Sequence, residues 1–211
     1  MLLEKLNWRY ATKKMDPSRA VAVETVDRIV EAARLAPTSS GLQPFEVIVV
    51  SNPETRAQLR AAAYNQAQVT DGSHVLVFAA WDNYTEARID SMVNLTLTER
   101  GNVRNETLDA YYSTLKGMYL PRDAATNFEH AARQAYIGFG MSIAQAAFEG
   151  VDATPMEGFE ADKFDKILGL SEKGLRSVCI LPLGYRAAEG DWLAGLKKVR
   201  RPVDQFATKV A

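Results

Sequence analysis

Cysteine and histidine are scarce in this chain: its 211 residues include one cysteine, Cys179, and two histidines, His74 and His130. A single cysteine cannot form an internal disulfide, and two histidines so far apart lack the spacing of a metal site. The sequence also shows no Ser/His/Asp or Cys/His set, so it offers no machinery for hydrolysis. Because Cys179 lies in the apolar run 178–181, we predict a buried, inert thiol and no bound metal.

An excess of charge and a long apolar run are also missing. The formal net charge is -1 at pH 7, so the chain lacks the basic excess that binding to nucleic acids or anionic membranes requires. No stretch approaches the roughly 20 apolar residues of a membrane span, and residues 1–6 do not resemble a signal peptide. We therefore expect a cytoplasmic protein with no nucleic-acid and no membrane partner.

Hydrophobic periodicity predicts helices and strands in alternation, and hence a mixed α/β (α+β) fold with a central sheet flanked by helices. The stretch 85–120 favours helix, with Gly101 and Gly117 as breaks. Because the apolar positions of the helix at 128–149 go nearly all round, we expect this helix to be buried in the middle of the assembly, and the apolar residues of the tail 187–211 to pack on another surface. The predicted strands are 45–50, 75–81 and 177–184, and the other predicted helices are 2–8, 23–36, 53–64 and 159–168.

Four short segments contain the candidate functional residues: the basic cluster 9–13, the turns 37–44 and 155–159, and the basic pair Lys198 and Arg200. Each has an ordinary alternative, since basic clusters are commonly solvated and turns rich in Pro, Ser and Gly often only join helices to strands. Arg and Lys side chains and backbone N–H groups are also what proteins use to hold a phosphate. Composition leaves both interpretations open.

In this order and at these separations, the four segments resemble those of the nitroreductase family of FMN-dependent oxidoreductases. The turn Pro155-Met156-Glu157-Gly158-Phe159 is the most specific, because it nearly completes the family's Pro-x-Glu-Gly-Phe. The resemblance runs from Arg9 to Pro202 and is weak between about Asn83 and Asn127. It implies one nitroreductase-like FMN-binding domain over residues 1–211, an intertwined homodimer, and a C-terminal extension that packs on the partner subunit.

The resemblance also implies how the FMN phosphate is held. Arg9, Lys198 and Arg200 would contact it, with the Tyr10–Ala11 segment beside them. Ala11 stands where the family often has serine, so one hydroxyl contact is missing and affinity rests more on charge.

Other residues are expected at the flavin ring. Lys13 would lie at the pyrimidine edge, where its charge stabilises the reduced anion, and Glu157 would direct its backbone N–H at the flavin N5. Asn65 matches an amide that bonds the ring. Gln68 matches a lysine of some relatives, which implies a somewhat lower flavin potential here. The remaining expected contacts are Pro155, Met156 and Gly158, and, toward the flavin of the partner subunit, Pro37, Thr38, Ser39 and Ser40.

The function implied is ping-pong transfer of hydride from NADH or NADPH to planar acceptors such as nitroaromatics or quinones. Two alternatives stay open: another flavin reaction on the same fold, such as dehalogenation or flavin breakdown, and a flavin-binding protein without turnover. Tyr111, Tyr112 and Tyr119 are candidates for aromatic residues of a substrate lid, although ordinary packing explains them equally well. The physiological acceptor, the nicotinamide preference and the oxygen reactivity are not encoded in any motif.

Overall fold

The computed structural model describes residues 1–210. Four strands and nine helices make up its regular structure. The strands are β1 (Phe45–Val50), β2 (His74–Trp81), β3 (Asp152–Ala153) and β4 (Leu175–Gly184). The helices are α1 (Leu2–Trp8), α2 (Val23–Arg34), α3 (Pro53–Ala62), α4 (Gln68–Asp71), α5 (Glu86–Glu99), α6 (Glu106–Tyr119), α7 (Ala124–Phe148), α8 (Ala161–Leu168) and α9 (Val203–Phe206).

The strands form one antiparallel sheet in the order β1-β2-β4-β3. Val77 lies between Ile48 of β1 and Ile180 of β4, and a bulge between Phe78 and Ala79 shifts the pairing by one residue. The predicted α+β class is confirmed, and the three predicted strands are correct to within two residues. Strand β3 was not predicted, because two residues are too few to show a periodic hydrophobic pattern.

Both faces of the sheet are covered, because successive side chains of β2 point alternately into two different cores. Leu76 and Phe78 face the main core, in which α2 and α7 pack on the sheet, whereas Val75 and Val77 face a second core under α3 and α8. Cys179 of β4 is fully buried in the main core, and burial raises the pKa of its thiol. The predicted burial of this cysteine is therefore confirmed.

The stretch 85–120 forms two helices, of which α5 ends just before Gly101, at φ +79°. The predicted break at Gly117 is wrong, since α6 continues through it to Tyr119. Leu115 and Tyr119 on either side are 3% and 1% exposed. Their burial stabilises this turn of helix against the roughly 1 kcal/mol cost of an interior glycine.

The outer face of α7 and the C-terminal tail are not covered by this chain. The expected burial of α7 in the middle of an assembly stays a prediction, since in the single chain Tyr136, Ile137, Met141 and Phe148 are 37–46% exposed. Most apolar residues of the tail are exposed as well, apart from the half-buried Leu193, so their packing on another surface also stays a prediction. Those exposed in the tail are Trp192, Leu196, Val199, Val203, Phe206 and Val210. Within residues 1–210, no helix combines the length and the apolar character needed to cross a membrane.

Candidate functional site

A cleft of about 500 Å³ lies between the N-terminal segment and the tail that follows β4. The stretch 7–11 forms one wall, and Leu193 with residues 195–200 forms the other. Two parts of the chain that are nearly 190 residues apart thus enclose it, and they are the basic segments singled out in the sequence.

Five cationic residues line this cleft, and they include the three that the sequence singles out, Arg9, Lys198 and Arg200; the other two are Arg186 and Lys197. Burial, together with the charge of Arg200, lowers the pKa of Arg9, and burial with both arginines lowers the pKa of Lys198. The Lys198 ammonium donates to the backbone carbonyls of Leu6 and Arg9, the latter at 2.6 Å. The Arg9 Nε is buried without a hydrogen-bond partner among the described residues.

This donor set fits a phosphate. An unpartnered buried N–H and mutually repelling cations both cost free energy that a bound dianion offsets. Tyr10 and Ala11 also line the cleft. The residues present are therefore suited to the phosphate of FMN.

A buried ion pair supports the N-terminal wall. Asp152 of β3 is 3% exposed and bonds Arg186 at 2.7 Å, while Thr12 donates to the same carboxylate at 3.1 Å. The Arg186 guanidinium lies over the rings of Trp8 and Tyr10, at 4.5 and 4.7 Å. No motif in the sequence predicted this pair. The signal that could have revealed it is an aspartate between the apolar residues 151 and 153, since a buried carboxylate requires a partner.

The turn 155–159 is held to the edge of the sheet. Met156 exchanges two backbone hydrogen bonds with Ile180 of β4, both at 3.0 Å, and Gln66 donates to the Gly158 carbonyl at 2.7 Å. Tyr136 of α7 donates to the Glu157 carboxylate at 2.6 Å. The backbone N–H of Glu157 donates to no other described residue, so it is available to a ligand.

The loop 64–68 lies against the same turn. Tyr64 and Asn65 adopt left-handed backbone conformations, at φ 51° and 56°. Asn65 is exposed, whereas Gln68 is only 7% exposed, at the start of α4. Lys13 is partly buried, and its ammonium forms no hydrogen bond within residues 1–210. Lys14, in contrast, is paired with Asp71 at 2.7 Å.

The turn 37–44 lies apart from the cleft. Ser40 is left-handed, at φ 61°, and its hydroxyl bonds the Tyr119 hydroxyl at 2.8 Å, while the Ser39 N–H donates to Gln134 of α7 at 2.8 Å. Within residues 1–210, its side-chain hydrogen bonds run to α2, α6 and α7 and none to the segment 9–13. The structure therefore does not bring Pro37, Thr38, Ser39 and Ser40 together with the cleft of the same chain.

An aromatic cluster underlies α5 and α6, the helices that the resemblance would assign to a lid. Tyr84 stacks on Tyr119 at 4.3 Å, and its hydroxyl bonds the His130 Nδ1 at 2.8 Å. Tyr112 is buried and bonds Thr96 of α5. Of the three tyrosines proposed for a lid surface, only Tyr111 is substantially exposed.

Known proteins are similar to this chain in both fold and sequence. The oxygen-insensitive NAD(P)H nitroreductase of Salmonella typhimurium is 32% identical over 96% of each chain. A nitroreductase-type protein of Exiguobacterium sibiricum, solved in complex with FMN, is 25% identical with a TM-score of 0.83 and covers 100% of this chain and 97% of its own. The Bacillus subtilis protein ydfN has the same fold, with a TM-score of 0.86 at 21% identity over 99% and 98% of the two chains. Similarity to these relatives thus defines an oxidoreductase of the FMN flavoprotein class.

Within that class, the sequence assigns the family. Residues 6–185 match the model of the nitroreductase family. The chain belongs to this family, as the four segments predicted.

Proposed function

We propose that this protein is an FMN-dependent oxidoreductase that takes hydride from NAD(P)H and reduces planar acceptors, such as nitroaromatics or quinones, by a ping-pong mechanism. The observation that carries the proposal is the convergence of Arg9, Lys198 and Arg200 around an unpartnered buried N–H, in a chain of the nitroreductase family. Bound FMN would supply a ring that accepts hydride from one substrate and delivers electrons to the next.

The protein's own part is binding, orientation and electrostatics. Arg9, Lys198 and Arg200 hold the phosphate by charge-assisted hydrogen bonds. Lys13 follows the stretch 7–11 that lines the cleft, and its ammonium forms no hydrogen bond within residues 1–210; at the ring its charge would favour a reduced, anionic flavin. Gln68 contributes no charge there, so the potential is expected to be lower than with a lysine at this position.

The turn 155–159 supplies a backbone donor rather than an acid or base. The Glu157 carboxylate is engaged by Tyr136, and the Glu157 N–H remains free for the flavin. Gly158 lets the backbone approach a ring closely, since no side chain projects there. The lid helices then select the second substrate by the shape of the space that they leave above the ring.

We further propose a homodimer. The outer face of α7 exposes apolar side chains around Gly140, and a Cβ at Gly140 would meet no atom within 4 Å. Such a face permits close approach of another helix, and the exposed apolar tail provides an arm to cover it. The turn 37–44, which lies away from its own cleft, would then reach the flavin of the partner subunit. Sedimentation of a flavin-loaded monomer at nanomolar concentration would contradict this assembly.

Anaerobic reduction tests the function. We expect the purified yellow protein to lose its flavin colour when NADH or NADPH is added without oxygen, and to regain it when a quinone or nitroaromatic follows. Persistent colour with both nucleotides would contradict the proposal and favour a flavin-binding protein without turnover. Lys173→Ala, an exposed substitution outside the cleft, is the matched control and should bleach normally.

A further inference from the structure

One carboxylate in the tail, that of Asp191, accepts four hydrogen bonds. Asp191 accepts from the Tyr10 hydroxyl at 2.9 Å, from the backbone N–H groups of Lys13 and Lys14 at 2.8 and 3.4 Å, and from the Leu193 N–H at 2.9 Å. Its contacts reach across 181 positions of sequence. It therefore joins the N-terminal wall of the cleft to the tail that carries the other wall.

The path of the backbone after β4 positions Asp191 beside Tyr10 and Lys13. After β4, the tail runs antiparallel to residues 14–16, with the Asp16 N–H donating to Tyr185 and the Ala187 N–H donating to Lys14. Gly190 then takes a left-handed conformation, at φ +84°, and a Cβ there would meet the Lys14 side chain at 3.7 Å. This bend turns the next residue, Asp191, back toward Tyr10 and Lys13.

An ionised carboxylate suits the position better than any neutral side chain. Two carboxylate oxygens offer about four lone-pair sites, whereas an asparagine amide offers a single accepting oxygen. Although partial burial opposes it, donation led by the Lys13 and Leu193 N–H groups lowers the pKa of Asp191. The chain thus keeps an anion close to a cleft that is otherwise rich in cations, where it weakens the net attraction for a phosphate.

We propose that Asp191 is a positioning residue for the cofactor: it fixes the segment that carries Arg9 and Lys13 relative to the tail that carries Lys198 and Arg200. Its hydrogen bonds orient the two sets of cations so that Arg9, Lys198 and Arg200 contact the phosphate while Lys13 lies at the edge of the ring. The inference rests on the proposed function for the identity of the ligand. The link between the two segments is a property of the protein alone.

The first test uses the protein without flavin. In Asp191→Ala, hydrogen exchange at the Lys13 and Lys14 amides should accelerate by about tenfold or more, because those N–H groups lose their acceptor. Glu189→Gln is the matched control: Glu189 is an exposed carboxylate of the same tail with no hydrogen bond, and its loss should leave both amides protected. Unchanged protection in Asp191→Ala would overturn the proposal whatever ligand the cleft binds.

The second test asks whether Asp191 acts through Lys13. The FMN dissociation constant should rise about tenfold or more in Asp191→Ala, and less in Tyr10→Phe, which removes one donor of the four. At saturating FMN, Lys13→Met should lower the flavin midpoint potential, and this shift should shrink to less than about half in an Asp191→Asn background.

The possible results separate the two hypotheses. Equal Lys13→Met shifts in both backgrounds, with unchanged FMN affinity, would contradict the positioning role. No shift in either background would show that Lys13 is not at the ring, which is a failure of the proposed function. The exchange and affinity measurements would still decide the role of Asp191.

Discussion

The side of this protein proposed to hold the cofactor, here called the cofactor side, and the side proposed to form a lid, here called the lid side, are held together by different forces. The cofactor side comprises residues 9–16, 64–72, 152–159 and 185–200, and polar contacts between distant segments dominate it: Asp152 with Arg186, and Asp191 with Lys13. The lid side comprises α5, α6 and the first turns of α7. It rests on apolar packing and stacked rings, with Tyr84 against Tyr119.

The difference matches what each side must do. A buried ion pair or a carboxylate with four donors tolerates little movement, because each lost bond leaves an uncompensated polar group. Apolar packing tolerates substitution at similar volume. One side can therefore keep a charged ligand in a fixed place, while the other can change its surface without disturbing that place. The following predictions test this contrast.

The largest effect is expected on the cofactor side. Lys198→Ala combined with Arg200→Ala should raise the FMN dissociation constant by about 10²- to 10⁴-fold, since two charge-assisted contacts are each worth about 1.5–3 kcal/mol. Gel filtration should separate the flavin from the variant protein. The double variant Arg100→Ala with Lys173→Ala, which removes two exposed basic residues elsewhere, should retain it. Full flavin retention by the cleft variant would refute the phosphate assignment.

Two glycine-to-alanine substitutions, one on each side, should change the free energy of unfolding in opposite directions. A Cβ at Gly72 would lie 2.6 Å from the Leu183 carbonyl oxygen, so Gly72→Ala must displace backbone and should destabilise the protein by about 1–3 kcal/mol. A Cβ at Gly117 would meet nothing within 4 Å, so Gly117→Ala should stabilise α6 by about 0.5–1 kcal/mol. Urea unfolding measures both, and effects of the same sign would remove the contrast.

A single hydroxyl tests the polar part of the lid side. Tyr119→Phe keeps the stacking on Tyr84 but removes the bond to Ser40, so the free energy of unfolding should fall by about 0.5–1.5 kcal/mol. Tyr111→Phe is the control, because its exposed hydroxyl makes only a 3.4 Å contact with the Ser40 carbonyl. It should change stability by less than about 0.5 kcal/mol. If the control is the more damaging variant, the buried cluster is not what holds Ser40.

The smallest expected effect is a loss of stability on mild acidification. The lid side should lose stability at a higher pH than the cofactor side. Burial, followed by the charges of Arg122 and Arg133, lowers the pKa of His130 in the folded state. The unfolded chain therefore binds more protons below about pH 6.5, and stability falls as the pH drops through that range. The pKa of Asp191 is lowered, so its contribution persists above about pH 3.9 and is lost only below it.

Urea midpoints at pH 7 and pH 5 test this order. His130→Gln should reduce the difference between the two midpoints. Some difference should remain, because burial and then Arg56 lower the pKa of His74 as well. A pH dependence that is identical in the wild type and in His130→Gln would contradict the assignment.

Local patterns predicted much of the fold. The apolar runs specified three strands, and the turn 155–159 was recognisable because it nearly completes the family's Pro-x-Glu-Gly-Phe. Helix α6 was misjudged at Gly117, since the burial of Leu115 and Tyr119 depends on elements distant in sequence. The roles of the individual cleft residues stay predictions, although Arg9, Lys198 and Arg200 do share one cleft.

By itself, the sequence determined the α+β class, the family and the residue types that can hold a phosphate, because these depend on periodicity and on short motifs. Tertiary structure alone decided which polar groups meet. Asp191 has no motif and lies 178 positions from Lys13, yet the bend at Gly190 brings its carboxylate within 2.8 Å of the Lys13 N–H. The physical reason is that hydrogen bonds and ion pairs act over a few ångströms, so their partners are set by the path of the whole chain.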